Sequence, residues 1–291
     1  MRPSRILFIL IISVASGITL AQEVTTVPVA DNIYMLQGKG GNVGVIVGEE
    51  SMLVIDDDYA DMSTKLHAAL KKLSDKPMRF LVNTHWHGDH VGGNEHFGPN
   101  TNIVAHTNVR KRMSTRQEMK GFNHVVEATP ASGLPVVTYQ DGVTLHAADQ
   151  TVQLKHFPAG HTDGDSVVFI KPANVVHMGD HYFANALPFV DLGSGGSVQG
   201  FLRNVEQVLK QTDANSKIIP GHGPLSTHAE LREHLAKLKR SVTIIRDYQK
   251  AGLSAEQAKK KGLPKAFDDW QKGFIKTPRW VDTVYGSYKQ Q

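Results

Sequence analysis

The chain has 291 residues, 40% apolar and 21% charged, which is ordinary globular composition and enough for one large core. Its formal net charge is +4, of which Arg2 and Arg5 supply two, and no basic stripe with interleaved aromatics accompanies it, so nucleic acid is not an expected partner. There is no Cys, which excludes a disulfide framework, a lipid attachment site and any thiolate metal ligand.

Residues 1–21 read as a secretory signal peptide. Arg2 and Arg5 form a basic start, Ile6 to Val14 an apolar run, and Thr19-Leu20-Ala21 a small-residue cleavage site. Ser16 and Gly17 break the run, which makes it short for a membrane span. The expectation is a secreted or periplasmic protein without stable membrane insertion, with an uncleaved N-terminal anchor as the alternative. Residues 22–291 are expected to form one domain with a helical C-terminal extension.

Strands are predicted at Thr25–Val29, Ile33–Gln37, Asn42–Val47 and Met52–Ile55, the last two joined by a turn at Gly48-Glu49-Glu50. Met62–Lys72 has helical spacing, with Leu66, Leu70 and Leu73 on one face. Phe80–Val82 is a short strand, Ile103–Ala105 another, and Val109–Lys120 a predicted helix. Ala128–Pro135 reads as a loop. Further strands are predicted at Val136–Tyr139, Thr144–Ala147, Val152–Phe157, Ser166–Ile170 and Val175–Met178. Val198–Gln211 is an amphipathic helix that buries Val198, Phe201, Leu202, Val205 and Val208. Lys217–Ile219 is a strand, and the chain from Thr227 onward is mostly helical, with Lys259-Lys260-Lys261 on a solvated face. Strands and helices thus alternate in two comparable halves, which points to one α/β domain of four layers.

The chemistry concentrates in Thr84-His85-Trp86-His87-Gly88-Asp89-His90. On extended backbone, side chains two apart point the same way, so His85 and His87 can grip one ion. A turn at Gly88 would let Asp89 and His90 face a second, and Gly92 and Gly93 would allow tight packing where the next helix starts. Imidazole and carboxylate suit zinc, iron or manganese.

His-x-His-x-Asp-His after a strand resembles the signature of the metallo-β-lactamase superfamily. Asp56, His161 in Gly160-His161-Thr162-Asp163-Gly164-Asp165, Asp180 in Met178-Gly179-Asp180 and His222 in Pro220-Gly221-His222-Gly223 keep that family's order between Pro28 and Pro224. The resemblance implies an αββα sandwich and two divalent metal ions, zinc foremost, with iron or manganese as alternatives. It implies His85, His87 and His161 on the first ion, Asp89, His90 and His222 on the second, and Asp180 between them. Asp56 would support the metal loop from behind. It further implies a metal-bound hydroxide as nucleophile, oriented by Asp89 as the catalytic acid–base residue, acting on a small molecule.

An aspartate at position 180 is the choice of the thioesterase, lactonase and phosphodiesterase members. The cysteine-type lactamases carry Cys there and keep a Lys shortly after it, whereas here the chain reads His181-Tyr182-Phe183-Ala184-Asn185. An ester, lactone, thioester or phosphoester hydrolase is therefore expected. The alternatives are β-lactam opening and, in another class, a di-iron redox or non-catalytic metal-binding protein. The redox members usually carry Glu where this chain has His87. Of the other histidines, His181 is placed beside the site, and His67, His228 and His234 on helix surfaces. His96, His106, His124, His146, His156 and His177 have no partner spacing. Two loops, around Gln37–Gly41 and from His181 to Ser197, are expected to rim the pocket.

Overall fold

A computed structural model describes residues 23–119 and 122–289; the expected signal peptide lies outside them. The first half runs β1 (Thr25–Ala30), β2 (Ile33–Gln37), β3 (Val43–Val47), β4 (Met52–Ile55), α1 (Ser63–Leu73), β5 (Met78–Asn83), two single turns α2 (Gly88–Val91) and α3 (Asn94–Phe97), β6 (Asn102–His106), α4 (Thr107–Met113), β7 (Gln117–Met119), β8 (His124–Val126) and β9 (Val137–Tyr139). The second half runs β10 (Gly142–Ala147), β11 (Gln150–His156), β12 (Ser166–Lys171), β13 (Val175–His177), α5 (Val198–Leu209), β14 (Lys217–Ile219) and β15 (Ser226–Thr227), followed by α6 (His228–Lys250), α7 (Ala255–Lys261) and α8 (Thr277–Lys289).

Two sheets form, a seven-stranded one ordered β1-β2-β3-β4-β5-β6-β9 and a six-stranded one ordered β10 to β15 in sequence. The first is antiparallel to β4 and parallel from β4 to β9, and the second is antiparallel except for the β13–β14 pair.

Alternation along the strands builds the layers, because successive side chains point to opposite faces. Ile33, Met35, Leu53 and Ile55 of the first sheet meet Val152, Leu154, Val168 and Ile170 of the second in a core between the sheets. Their neighbours Leu36, Val43 and Val54 face outward and pack against Leu66, Ala69 and Leu70 of α1. On the far side, Val167, Phe169 and Val176 pack against α5, α6 and α8. The result is the expected four-layer αββα sandwich.

The helix expected over Val109–Lys120 stops at Met113. Ser114 Oγ and Thr115 Oγ1 both donate to the Lys111 carbonyl, at 3.0 and 3.2 Å, taking an acceptor that a further turn would need. The chain then forms the separate β7–β8 hairpin. The starts of α5 and α6 carry side-chain caps. Ser197 Oγ accepts from Gly200 N ahead of α5, and Thr227 with Glu230 forms a capping box on α6.

Candidate metal centre

The loops after β4, β5, β13 and β14 leave their sheets at one edge, and that edge gathers the candidate residues. After β5 the chain bends through Thr84, His85 and Trp86, returns to β-region backbone at His87 (φ −69, ψ 144) and then turns into α2 at Gly88. His85 and His87 come together in one group while Asp89 and His90 fall in another, the grouping the spacing suggested although the backbone reaches it through a bend.

His87 Nδ1 lies 2.8 Å from His161 Nε2, and the His85 and His161 rings are 4.6 Å apart. Asp180 reaches in from the second half. Its Oδ2 is 3.3 Å from His161 Nε2 and 3.7 Å from His85 Nε2. Its Oδ1 is 3.1 Å from His90 Nε2 and 3.3 Å from His222 Nε2. Asp89 Oδ2 completes the second group, 3.3 Å from His222 Nε2 and 3.7 Å from His90 Nε2. The donor atoms of His85, His87, His161 and Asp180 all lie within 4.8 Å of one another, and so do those of Asp89, His90 and His222.

The donors fit divalent cations on two counts. They are nitrogen and oxygen only, the set that zinc and its borderline neighbours accept. In addition, His85 Nε2 and Asp180 Oδ1 are buried without a hydrogen-bond partner, an arrangement that costs free energy unless something else satisfies them.

Four of the five inward-facing imidazoles are steadied through their other nitrogen. His85 Nδ1 meets Thr84 Oγ1 at 3.0 Å, His87 Nε2 meets Asp191 Oδ2 at 3.1 Å, and His90 Nδ1 meets Asp56 Oδ2 at 2.8 Å. His161 Nδ1 donates to the Phe189 carbonyl at 2.8 Å. Such outer contacts fix the tautomer and the ring plane. Asp56 sits in left-handed backbone (φ 62) and also accepts from Thr84 N and Thr84 Oγ1, both at 2.7 Å, so it braces the metal loop as expected. Asp191 and Phe189 lie in the loop expected to rim the pocket, but their roles behind His87 and His161 were not foreseen.

Charge within the centre is mutually arranged. Burial disfavours the Asp89 carboxylate, but the His90 cation and a hydrogen bond from His222 outweigh it and bring its pKa down to about 2. Burial likewise opposes the Asp180 charge, yet four surrounding imidazoles hold its pKa well below the usual carboxylate range. For His161 burial dominates and lowers its pKa to about 4, which leaves the ring neutral and its lone pair free for a cation.

The two halves meet over the centre, where Asn42 N donates to the Gly221 carbonyl at 2.7 Å and Asn42 Nδ2 to the Pro220 carbonyl at 2.9 Å; within the first half, Gly41 N donates to the Asp89 carbonyl at 2.9 Å. Glycine is required at the closest approaches, since a Cβ on Gly41 would lie 2.1 Å from His90 Cε1 and one on Gly221 would lie 2.2 Å from Asp180 Oδ1.

A cavity of about 660 Å³ opens onto Asp89, Asp180 and His222. The two expected loops border it through Lys39, Gly40, Phe183 and Phe189. Two walls were not foreseen: the β7–β8 hairpin, through Met119, Phe122 and Val126, and the C-terminal segment, through Gly273 and Phe274.

Several histidines depart from expectation. His181 does not line the cavity; it is buried behind it, with Asn204 Nδ2 3.1 Å from its Nε2 and its ring stacked on Phe201. His234 is buried rather than on a surface, its ring 4.5 Å from Trp270. His106 and His156 stack at 3.8 Å, and His96 Nε2 lies 3.1 Å from Nδ1 of His67, which is exposed on α1 as expected, so His96, His106 and His156 have partners after all.

A sequence profile described as metallo-beta-lactamase superfamily matches residues 36–222. The chain is 26% identical over 209 residues to an uncharacterized protein of Mycobacterium tuberculosis (strain ATCC 25618 / H37Rv), a match covering 68% of this chain and 88% of that protein. A shorter stretch of 54 residues, 18% of this chain and 10% of the other, is 37% identical to a linear primary-alkylsulfatase of Pseudomonas sp. (strain ATCC 19151). Among solved structures, a metallo-beta-lactamase from Pontibacter korlensis superposes with a TM-score of 0.58 at 15% identity, covering 75% of this chain and 99% of that one. The DIM-1 metallo-beta-lactamase gives 0.59 at 18% identity, with 75% and 98% covered. At those identities the structural likeness speaks for the fold.

Proposed function

This chain belongs to the metallo-β-lactamase superfamily, and from that premise we propose that it is an exported hydrolase that holds two divalent ions and opens an ester, lactone, thioester or phosphoester of a small molecule. The observation that carries the reading is Asp180, a buried carboxylate with Oδ2 toward His85 and His161 and Oδ1 toward His90 and His222. On this proposal His85, His87 and His161 hold one ion and Asp89, His90 and His222 the other, with Asp180 shared. Zinc is the first choice, given a donor set of imidazole and carboxylate.

Ions so held would supply an acidified water and a charge to polarise the substrate oxygen. The protein's own contribution falls to Asp89. Its side chain is 20% exposed against 4% for Asp180, so it is the more accessible of the two ionised carboxylates that line the cavity. It can orient a water there by accepting its hydrogen bond, and take or return a proton as the substrate bond breaks. Asp191 keeps the His87 ring in plane, and Phe183 stacks on His222 at 5.0 Å, which limits that ring's rotation.

The second reading, β-lactam opening, is supported by the names of the two structural neighbours. Against it stand the aspartate at 180 and the absence of a Lys in His181-Tyr182-Phe183-Ala184-Asn185. The test is metal analysis of the purified protein together with kcat/KM on a cephalosporin, a lactone, a thioester and a phosphodiester. Close to two equivalents of metal are expected, with the β-lactam the poorer substrate. Full activity without metal overturns the proposal. A β-lactam preference above about 100-fold makes the second reading the correct one.

A further inference from the structure

Three phenylalanines from three separate segments meet at the cavity mouth. Phe122 comes from the β7–β8 hairpin, Phe189 from the loop after β13, and Phe274 from the segment before α8. The Phe122 ring is 4.9 Å from Phe189 edge-on and 5.4 Å from Phe274 in a stack. Phe189 in turn lies 5.6 Å from His87, so the aromatic wall runs from solvent to the metal centre. Phe274 is 71% exposed and Phe122 37%, a cost in water that an apolar ligand would relieve.

The wall is held in place. An antiparallel bridge joins Leu187 to Ile275, and Gly273 lies so close to Ala186 that a Cβ there would meet the alanine methyl at 2.7 Å. Arg279 places its guanidinium 4.9 Å from the centre of the Phe122 ring. Among the described lining residues Lys39 is the one Lys or Arg, and it is ion-paired to Asp61 at 2.5 Å. An anionic tail on the substrate would therefore meet no unpaired Lys or Arg among the described lining residues, Arg279 being engaged on the Phe122 ring outside that lining, whereas Met119, Val126 and Ala186 continue the apolar surface.

We infer that the substrate carries an uncharged apolar acyl chain of medium length, lying along Phe189, Phe122 and Phe274 while its carbonyl faces Asp89. This rests on the hydrolase reading for its chemistry but on the aromatic wall for its specificity. A cavity of about 660 Å³ is within the usual size for a site that encloses a small molecule.

The test uses the metal-loaded protein and a series of p-nitrophenyl esters from acetate to decanoate, alongside calorimetric titration with acetate and decanoate. Each buried methylene should raise kcat/KM by about two- to fourfold, chiefly through KM. Decanoate should bind at least tenfold tighter than acetate. Phe274→Ala and Phe122→Ala should flatten the chain-length dependence and lose most of the decanoate preference. A flat series with equal binding of the two acids overturns the inference while leaving the hydrolase reading intact. If no ester of any length is turned over, the hydrolase reading suffers instead, and decanoate binding still decides the fate of the aromatic wall.

Discussion

An imidazole that grips a cation with one nitrogen needs a partner for the other, and the centre supplies one for each of His85, His87, His90 and His161. Asp191→Asn keeps the shape but removes the charge behind His87. It should weaken metal binding by about 10- to 100-fold with the fold unchanged, as read by chelator competition beside circular dichroism. Asp180→Ala takes away the shared carboxylate and should release the second ion at lower chelator concentration than the first. Gly41→Ala tests a different physical cause, because its methyl would collide with His90 at 2.1 Å; it too should strip the second ion first. His85, His87, Asp89 and His90 were legible because they sit within six residues after a strand. His161, Asp180 and His222 were legible through the family's order. Asp191 was not, since 104 residues separate it from His87 and only the fold brings them together.

Among the elements, every strand of the two main sheets except the two-residue β15 was visible from apolar runs and turn residues, whereas the end of α4 was not. Helical spacing of Val109 and Met113 continues on paper, but the hydroxyls of Ser114 and Thr115 close the last turn. The hairpin wall of the cavity was hidden for the same reason. The burial of His234 has a simpler cause: it lies three residues after Leu231 and four before Leu238, on the buried stripe of α6, a position that outweighs its residue type. The consequence is measurable. Burial, with some help from Lys237, lowers the His234 pKa to about 3. The folded state thus holds the ring neutral, while the unfolded chain takes up a proton near pH 6.5. The stabilisation is complete above about pH 6.5 and lost as pH falls toward 3. In metal-free protein, His234→Leu should make the urea midpoint fall less steeply between about pH 6 and 4 than it does in the wild type.

At the scale of the whole molecule, the alternation of two comparable halves made the four layers readable, but not how much the C-terminal extension matters. Phe267, Trp270, Ile275, Trp280, Val281 and Val284 belong to the core beneath the second sheet. Trp280 is fully buried and its Nε1 donates to Ser241 Oγ at 2.9 Å, so Trp280→Ala should cost about 3–5 kcal/mol. The larger consequence lies in the seam. Four of the seven candidate ligands come from the first half and three from the second, and Asn42 laces the halves together directly above them. Ions seated there would act as rivets between two plates, and a chain that loses them keeps only the lacing. Resistance to a protease would then serve as a gauge of the surroundings. For each tenfold rise in free zinc above its dissociation constant, one ion adds about 1.4 kcal/mol against unfolding. On the two-ion proposal, a protein built this way would last as long as the metal supply around it allows, and metal-starved cells would hold less of it even with its gene expressed at the same level.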